Sequence, residues 1–236
     1  ILFYATSLGG HSQVKTEDLP SALLATDVVE LAGLADMNVT DLQKALTGKR
    51  VSLSPSIGGN SESLSGSSTV KDLETLLQLN YLYFTAPRRD EESYQTLISI
   101  LESQLANRDK NPKAAFSDSI QMMTSNNSER TVIFTKELLE KVSLDKALEV
   151  YKARFANPAD FTFFFVGNVN PEDTAFKAQV CQWLGGRKAN KKKEKVIDHQ
   201  VRVPLGKQQN YFTQKMETKT ASNRIQYTSY NMPYTL

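Results

Sequence analysis

Apolar positions along this chain follow two periods, one of two residues and one of three to four, and the changes between them predict its elements. Residues 2–6 read as a strand closed by Gly9 and Gly10, followed by a polar loop and by Pro20 at the start of a helix. Leu24, Val28 and Leu31 give that helix one apolar face, with Gly33 near its end. Thr40 is placed to cap a shorter helix, DLQKALTGK, which Gly48 terminates. Val51, Leu53 and Ile57 then alternate as an edge strand does, before a run, SIGGNSESLSGSST, whose composition alone is that of a flexible linker. From Val70 the period returns to that of a helix. Leu73, Leu76, Leu77, Tyr81 and Phe84 share one face and Pro87 stops it. Tyr94, Leu97, Ile98, Leu101 and Leu105 mark a second long helix, and another is expected from Asn111 to near Asn126. Ser143 opens one more, with Leu144, Ala147, Leu148, Tyr151 and Phe155 as its stripe.

The stretch FTFFFVGNVNPEDTAFKAQVCQWLGG, residues 161–186, is the most ordered part of the pattern. Its first residues form an apolar run without polar alternation, which predicts a strand in mid-sheet, covered on both faces. Gly167 turns the backbone, Asn170 is the expected N-cap and Pro171 the first helical residue. Phe176, Val180, Trp183 and Leu184 recur along one helical face, and Gly185 is placed to end it in a left-handed conformation. Beyond it, RKANKKKEK is strongly basic with no aromatic interleaved and reads as a solvated linker. Residues 211–217 and 222–230 look like two strands of a further unit. The expected division is therefore a first α+β domain over 1–187, a basic linker over 188–200 and the start of a second, truncated domain over 201–236.

Composition removes more functions than it suggests. The 236 residues include 28 basic and 26 acidic ones, a net charge of +2 that favours neither a nucleic-acid partner nor a polyacidic one. A 40% hydrophobic content is enough for a core. The single cysteine, Cys181, cannot form an intrachain disulfide and is read as a packing residue. No stretch approaches the ~20 apolar residues of a membrane span. GNVN lacks the further glycines of a dinucleotide cradle, and no Walker-type GK[ST], GxSxG elbow or Cys/His nucleophile pair occurs. The only histidines, His11 and His199, lie almost a whole chain apart and read as solvated residues. They cannot form an i, i+4 zinc pair on one helix. No catalytic residue, metal ligand or substrate-binding residue is assigned from this sequence.

The order of these pieces carries a resemblance. A strand ending in GG, a helix reaching Gly33, DLQKALTGK, the block VSLSPSIGGNSESLSGSSTVKDLETLLQLNYLYFTAPRRD and the unit FTFFFVGNVNPED together resemble the pitrilysin (insulinase) family of zinc metallopeptidases, which includes the mitochondrial processing peptidases. The likeness runs over most of residues 1–186. It implies an α+β metallohydrolase-type domain, a mixed sheet with helices mainly on one face, and residues 51–69 as adjacent strands rather than a tether. Members pair two halves around a peptide; one half binds zinc through an inverted HxxEH helix motif and a later glutamate, and the other has usually lost it. If Gly33 matches the glycine after the motif, the positions of the two histidines and the glutamate are taken here by Leu24, Val28 and Asp27. Glu92 and Glu102, on the second long helix, are surface charges without the motif.

What the resemblance implies is a non-catalytic segment that walls a peptide-binding chamber. Zinc would then lie in another half, in the same chain or in a separate subunit, and the segment itself would hold no cofactor. An inert scaffold or protein-binding module of the same fold is the alternative. Peptide substrate, no nucleic acid, no membrane-spanning segment and a periplasmic or cell-envelope location complete the expectation.

Overall fold

The structure is a computed structural model, and it describes residues 1–108, 111–186, 190, 193–213 and 221–228. Four strands, β1 (Leu2–Leu8), β2 (Val51–Ile57), β3 (Ser61–Ser68) and β4 (Thr162–Val166), form one sheet in the order β2-β3-β1-β4. Every pairing is antiparallel, with Leu64 opposite Ala5 and Pro55, and Phe163 on the far side of Ala5. The serine-rich run is thus a hairpin strand. Pro55, which has no amide to give to a ladder, sits in the edge strand β2.

Helices cover one face of the sheet. The first helical region breaks at Leu24 into α1 (Leu19–Leu23) and α2 (Ala25–Ala32). α2 packs on β2 and on two later helices, α5 (Glu91–Arg108) and α8 (Leu144–Arg154). The short α3 (Val39–Ala45) is capped by Asn38, two residues earlier than Thr40, because the Asn38 side chain accepts from the Asp41 amide. α4 (Leu73–Thr85) lies across β2 and β3 and ends before Pro87. α6 (Pro112–Thr124) and α7 (Lys136–Leu139) complete the helical layer. Ser143 caps α8 through the Lys146 amide, as its type and position predict. An aromatic seam joins the layers: Phe84 meets Phe161 at 4.9 Å and Phe155 at 5.6 Å, and Phe3 meets Phe165 at 5.3 Å.

Four expectations for residues 161–186 are corrected. β4 is an edge strand and not a central one, with Phe164 and Val166 exposed; a continuous apolar run fits an open apolar face as well as a buried strand. The following helix, α9 (Thr174–Val180), begins three residues after Pro171, with Asp173 capping it through the Ala175 amide. Asn170 instead closes a local turn onto the Glu172 amide. Residues Cys181–Gly185 then widen into a π turn, so Gly185 is not left-handed and Cys181 is exposed instead of packed. Residues 211–213 and 221–228 carry no strand, and the remainder of the two strands expected there lies outside the described residues.

Candidate functional site

Of the motif positions of the resemblance, Asp27 and Val28 fall on α2 and Leu24 is the residue that precedes it. Leu24 and Val28 are 5% and 2% exposed and belong to the hydrophobic core, while Asp27 faces outward. One turn on, Glu30 lies near Ser54 of β2, and burial raises its carboxyl, with Asp27 adding to the rise against the hydrogen bond from Ser54. Leucine and valine offer no donor atoms. Among the described residues no three His, Cys, Asp or Glu side chains lie close enough to share a metal. A zinc ion therefore does not fit α2. Glu92 and Glu102 are exposed on α5.

Both histidines lie at the Gly9–Gly10 corner, His11 half-buried and His199 exposed. His11 has Nε2 3.3 Å from the Ala22 carbonyl; burial lowers its pKa, and the positive Arg130 and Arg154 lower it further against that hydrogen bond. His199 places Nε2 2.7 Å from the Ser12 carbonyl. The two line a cavity of about 810 Å³ together with Leu19, Arg130, Val196 and Ile197. Arg130 locks this loop by donating to the carbonyls of His11 and Val14 at 2.7 and 3.0 Å.

The same corner holds a buried carboxylate that sequence reasoning did not single out. Glu62, on β3, is 1% exposed and accepts a 2.7 Å hydrogen bond from the Gly10 amide. Burial pushes its carboxyl up to about 7, against the Gly10 bond, Arg154 and Ser7, and with the help of Glu194. The signal was present: Leu64 fixes the inward phase of β3, and Glu62 is two residues before it. Gly9 has φ +138°, and a Cβ there would stand 2.7 Å from the Glu194 carboxylate and 2.8 Å from the Arg154 guanidinium, so only glycine fits beside this ion pair.

The open face of the sheet is the broadest candidate surface. Register places Leu2, Tyr4, Thr6 and Leu8 of β1 beside Thr162, Phe164 and Val166 of β4, and beside Ser61, Ser63, Ser65 and Ser67 of β3. Ser52, Ser54 and Ser56 of β2 continue it. Leu2, Tyr4, Leu8, Phe164 and Val166 are all exposed. One half of this face is apolar, the other is a carpet of hydroxyls, and no strand position on it is charged. A surface of this kind can hold a polypeptide through apolar contacts and hydroxyl hydrogen bonds without selecting it by charge.

A scan against protein-family models gives no match. The chain is 28% identical over 187 residues to a zinc protease PQQL-like of Arabidopsis thaliana, covering 79% of this chain and 17% of that protein. The periplasmic protease PqqL from Escherichia coli superposes with a TM-score of 0.71 and 21% identity, over 85% of this chain and 22% of that one. An inactive domain of an M16 peptidase from Pseudomonas fluorescens superposes with a TM-score of 0.61 and 18% identity, over 82% and 47% of the two chains. This chain thus spans only about a fifth of the first two proteins. No helix among the described residues is long and apolar enough to cross a membrane.

Proposed function

We propose that the chain, which shares its fold with pitrilysin-type M16 peptidases and is similar to a PQQL-like zinc protease, is a non-catalytic wall segment of a peptide-hydrolysing chamber. The observation that carries this reading is the open sheet face. It is broad, uncharged and half apolar, while the helix that resembles the zinc helix of active members is aliphatic at both histidine positions. Such a wall positions an extended peptide and keeps it from bulk water while a second half cleaves it. That half, in the same chain or another subunit, would hold the zinc. The same reading includes a periplasmic or cell-envelope location, which the similarity to the periplasmic PqqL supports.

Co-expression with a pitrilysin-type half bearing an intact inverted motif tests the proposal. Peptide cleavage that needs both parts and stops on chelation is expected, with none from this chain alone plus zinc. Zinc-dependent cleavage by the chain alone would refute the non-catalytic assignment, and full activity of the other half without it would refute the wall.

A further inference from the structure

Composition marks the basic stretch after residue 186 as solvated, yet its described residues are tied to the domain. Asn190 and Asn157 exchange two hydrogen bonds of 2.9 Å, amide to side-chain oxygen one way and side-chain nitrogen to carbonyl the other. The Glu194 amide donates to Asp160 Oδ2 at 2.9 Å, and the Glu194 carboxylate takes both terminal nitrogens of Arg154, whose side chain is only 9% exposed. Gln13 donates to the Lys195 carbonyl at 2.5 Å, the Ile197 amide to Ser12 Oγ at 3.1 Å, and His199 to the Ser12 carbonyl. These contacts lay residues 193–199 across the Gly9–Gly10 corner and over the cavity, one wall of which is Val196, Ile197 and His199.

We propose that residues 193–199 form a strap that is latched on this corner while Glu62 is neutral and released when Glu62 ionises. The groups facing Glu62 are the Gly10 amide, the Ser7 hydroxyl on β1, Arg154 on α8 and Glu194 on the strap itself. Among the described residues Arg154 is the one cation that acts on Glu62. With Glu62 neutral, Arg154 belongs to Glu194. With Glu62 charged, two carboxylates share one guanidinium in a desolvated corner, and they repel each other. Glu62 is fixed within the ladder of β3, whereas Glu194 sits on a segment held by a few hydrogen bonds, so Glu194 is the one that leaves. Burial already places the Glu62 carboxyl at about 7, so the change falls near neutral pH.

The sign follows from linkage. Undocking removes Glu194 and gives Arg154 to Glu62, which lowers the Glu62 pKa; docking therefore takes up a proton, is complete below the undocked pKa and weakens as pH rises through about 7. Release would open the cavity on the side walled by Val196, Ile197 and His199.

Amide hydrogen exchange of the whole chain, read by NMR and corrected for the intrinsic effect of pH, follows the strap at the Glu194 and Ile197 amides. Their protection is expected to fall roughly tenfold between pH 6 and pH 8.5 and to stay level in Glu62→Gln. Level protection in the unaltered chain would overturn the proposal. So would an undiminished fall in Glu62→Gln, which would assign the effect to His11 or His199. Glu194→Gln, a change on the strap and outside the core, is expected to lose protection at both pH values, and protection retained there would equally sink the latch.

Discussion

The two faces of the sheet are built from the same four strands and have little else in common. The inner face carries Phe3, Ala5, Leu53, Ile57 and Leu64, all buried beneath the helices, and it also takes in the carboxylate of Glu62. The outer face has no charge, a hydroxyl half and an apolar half, and nothing among the described residues lies over its five exposed apolar side chains. Burial energy is spent on the inner face alone, so the composition of the outer face answers to something other than the stability of this domain. An apolar patch maintained in water signals a surface that meets a partner.

Substitution on the inner face should break the fold first. Leu64 is fully buried at the centre of the sheet, between Ala5 and Pro55 in register. Leu64→Ala is expected to cost roughly 2–5 kcal/mol in denaturant unfolding, from lost burial and the cavity left behind. A loss below about 1 kcal/mol would mean that the helices close on the gap, and that the inner face is less specified than its packing suggests.

Glu62 gives the next largest effect, and its direction is fixed by its environment. Its folded pKa is raised above that of an exposed glutamate, so the folded state holds the proton more tightly. Stability from this group is full below the unfolded value and is lost as pH rises through about 7, a loss of at most about 3 kcal/mol. Unfolding free energies measured from pH 4.5 to 8.5 should show this decline, and Glu62→Gln should flatten it. Gly66 should follow. It lies opposite Phe3 and Leu53, and a Cβ there would press on the Ser52 carbonyl and stand 2.9 Å from Leu53 Cα. Gly66→Ala is expected to cost about 1–3 kcal/mol by forcing β2 and β3 apart. A thermal midpoint unchanged from the parent would show that the hairpin can yield.

Much of this contrast is legible in the alternation of the hairpin. Leu53, Pro55 and Ile57 set the inward phase of β2, which puts Ser52, Ser54 and Ser56 outside, and Leu64 does the same for β3. The order of elements also resembles the family whose fold the chain shares, and it locates α2 and its aliphatic replacements without a structure. Other features depend on competition that sequence does not resolve. Phe163 and Phe165 face the core while Phe164 and Val166 face out, but the run of residues is apolar throughout and conceals which phase is covered. Asn170 and Asp173 are both able caps; Asn170 closes its own turn, so Asp173 starts the helix. Glu194, within a lysine-rich run, reads as one more solvated charge until Arg154 is seen beneath it.

The smallest effect on stability should come from the outer face, and it sharpens the comparison most. Phe164 is 47% exposed and its ring lies 6.2 Å from that of Tyr4, a contact worth little in water. Phe164→Ser extends the hydroxyl carpet by one position and removes an exposed apolar side chain, so unfolding free energy should change by less than about 1 kcal/mol. If the outer face is the proposed wall, the same substitution in a complex with a catalytic half should raise KM several-fold and leave kcat nearly unchanged, because such a contact would hold substrate and transition state alike. Ser65→Ala, next to Tyr4 on the same face, should leave both constants close to the parent, since it removes no apolar area and only one hydroxyl among many. If Phe164→Ser instead destabilised the chain strongly, the outer face would be part of the core of a larger unit. If it left KM untouched, the apolar half would face something other than the peptide.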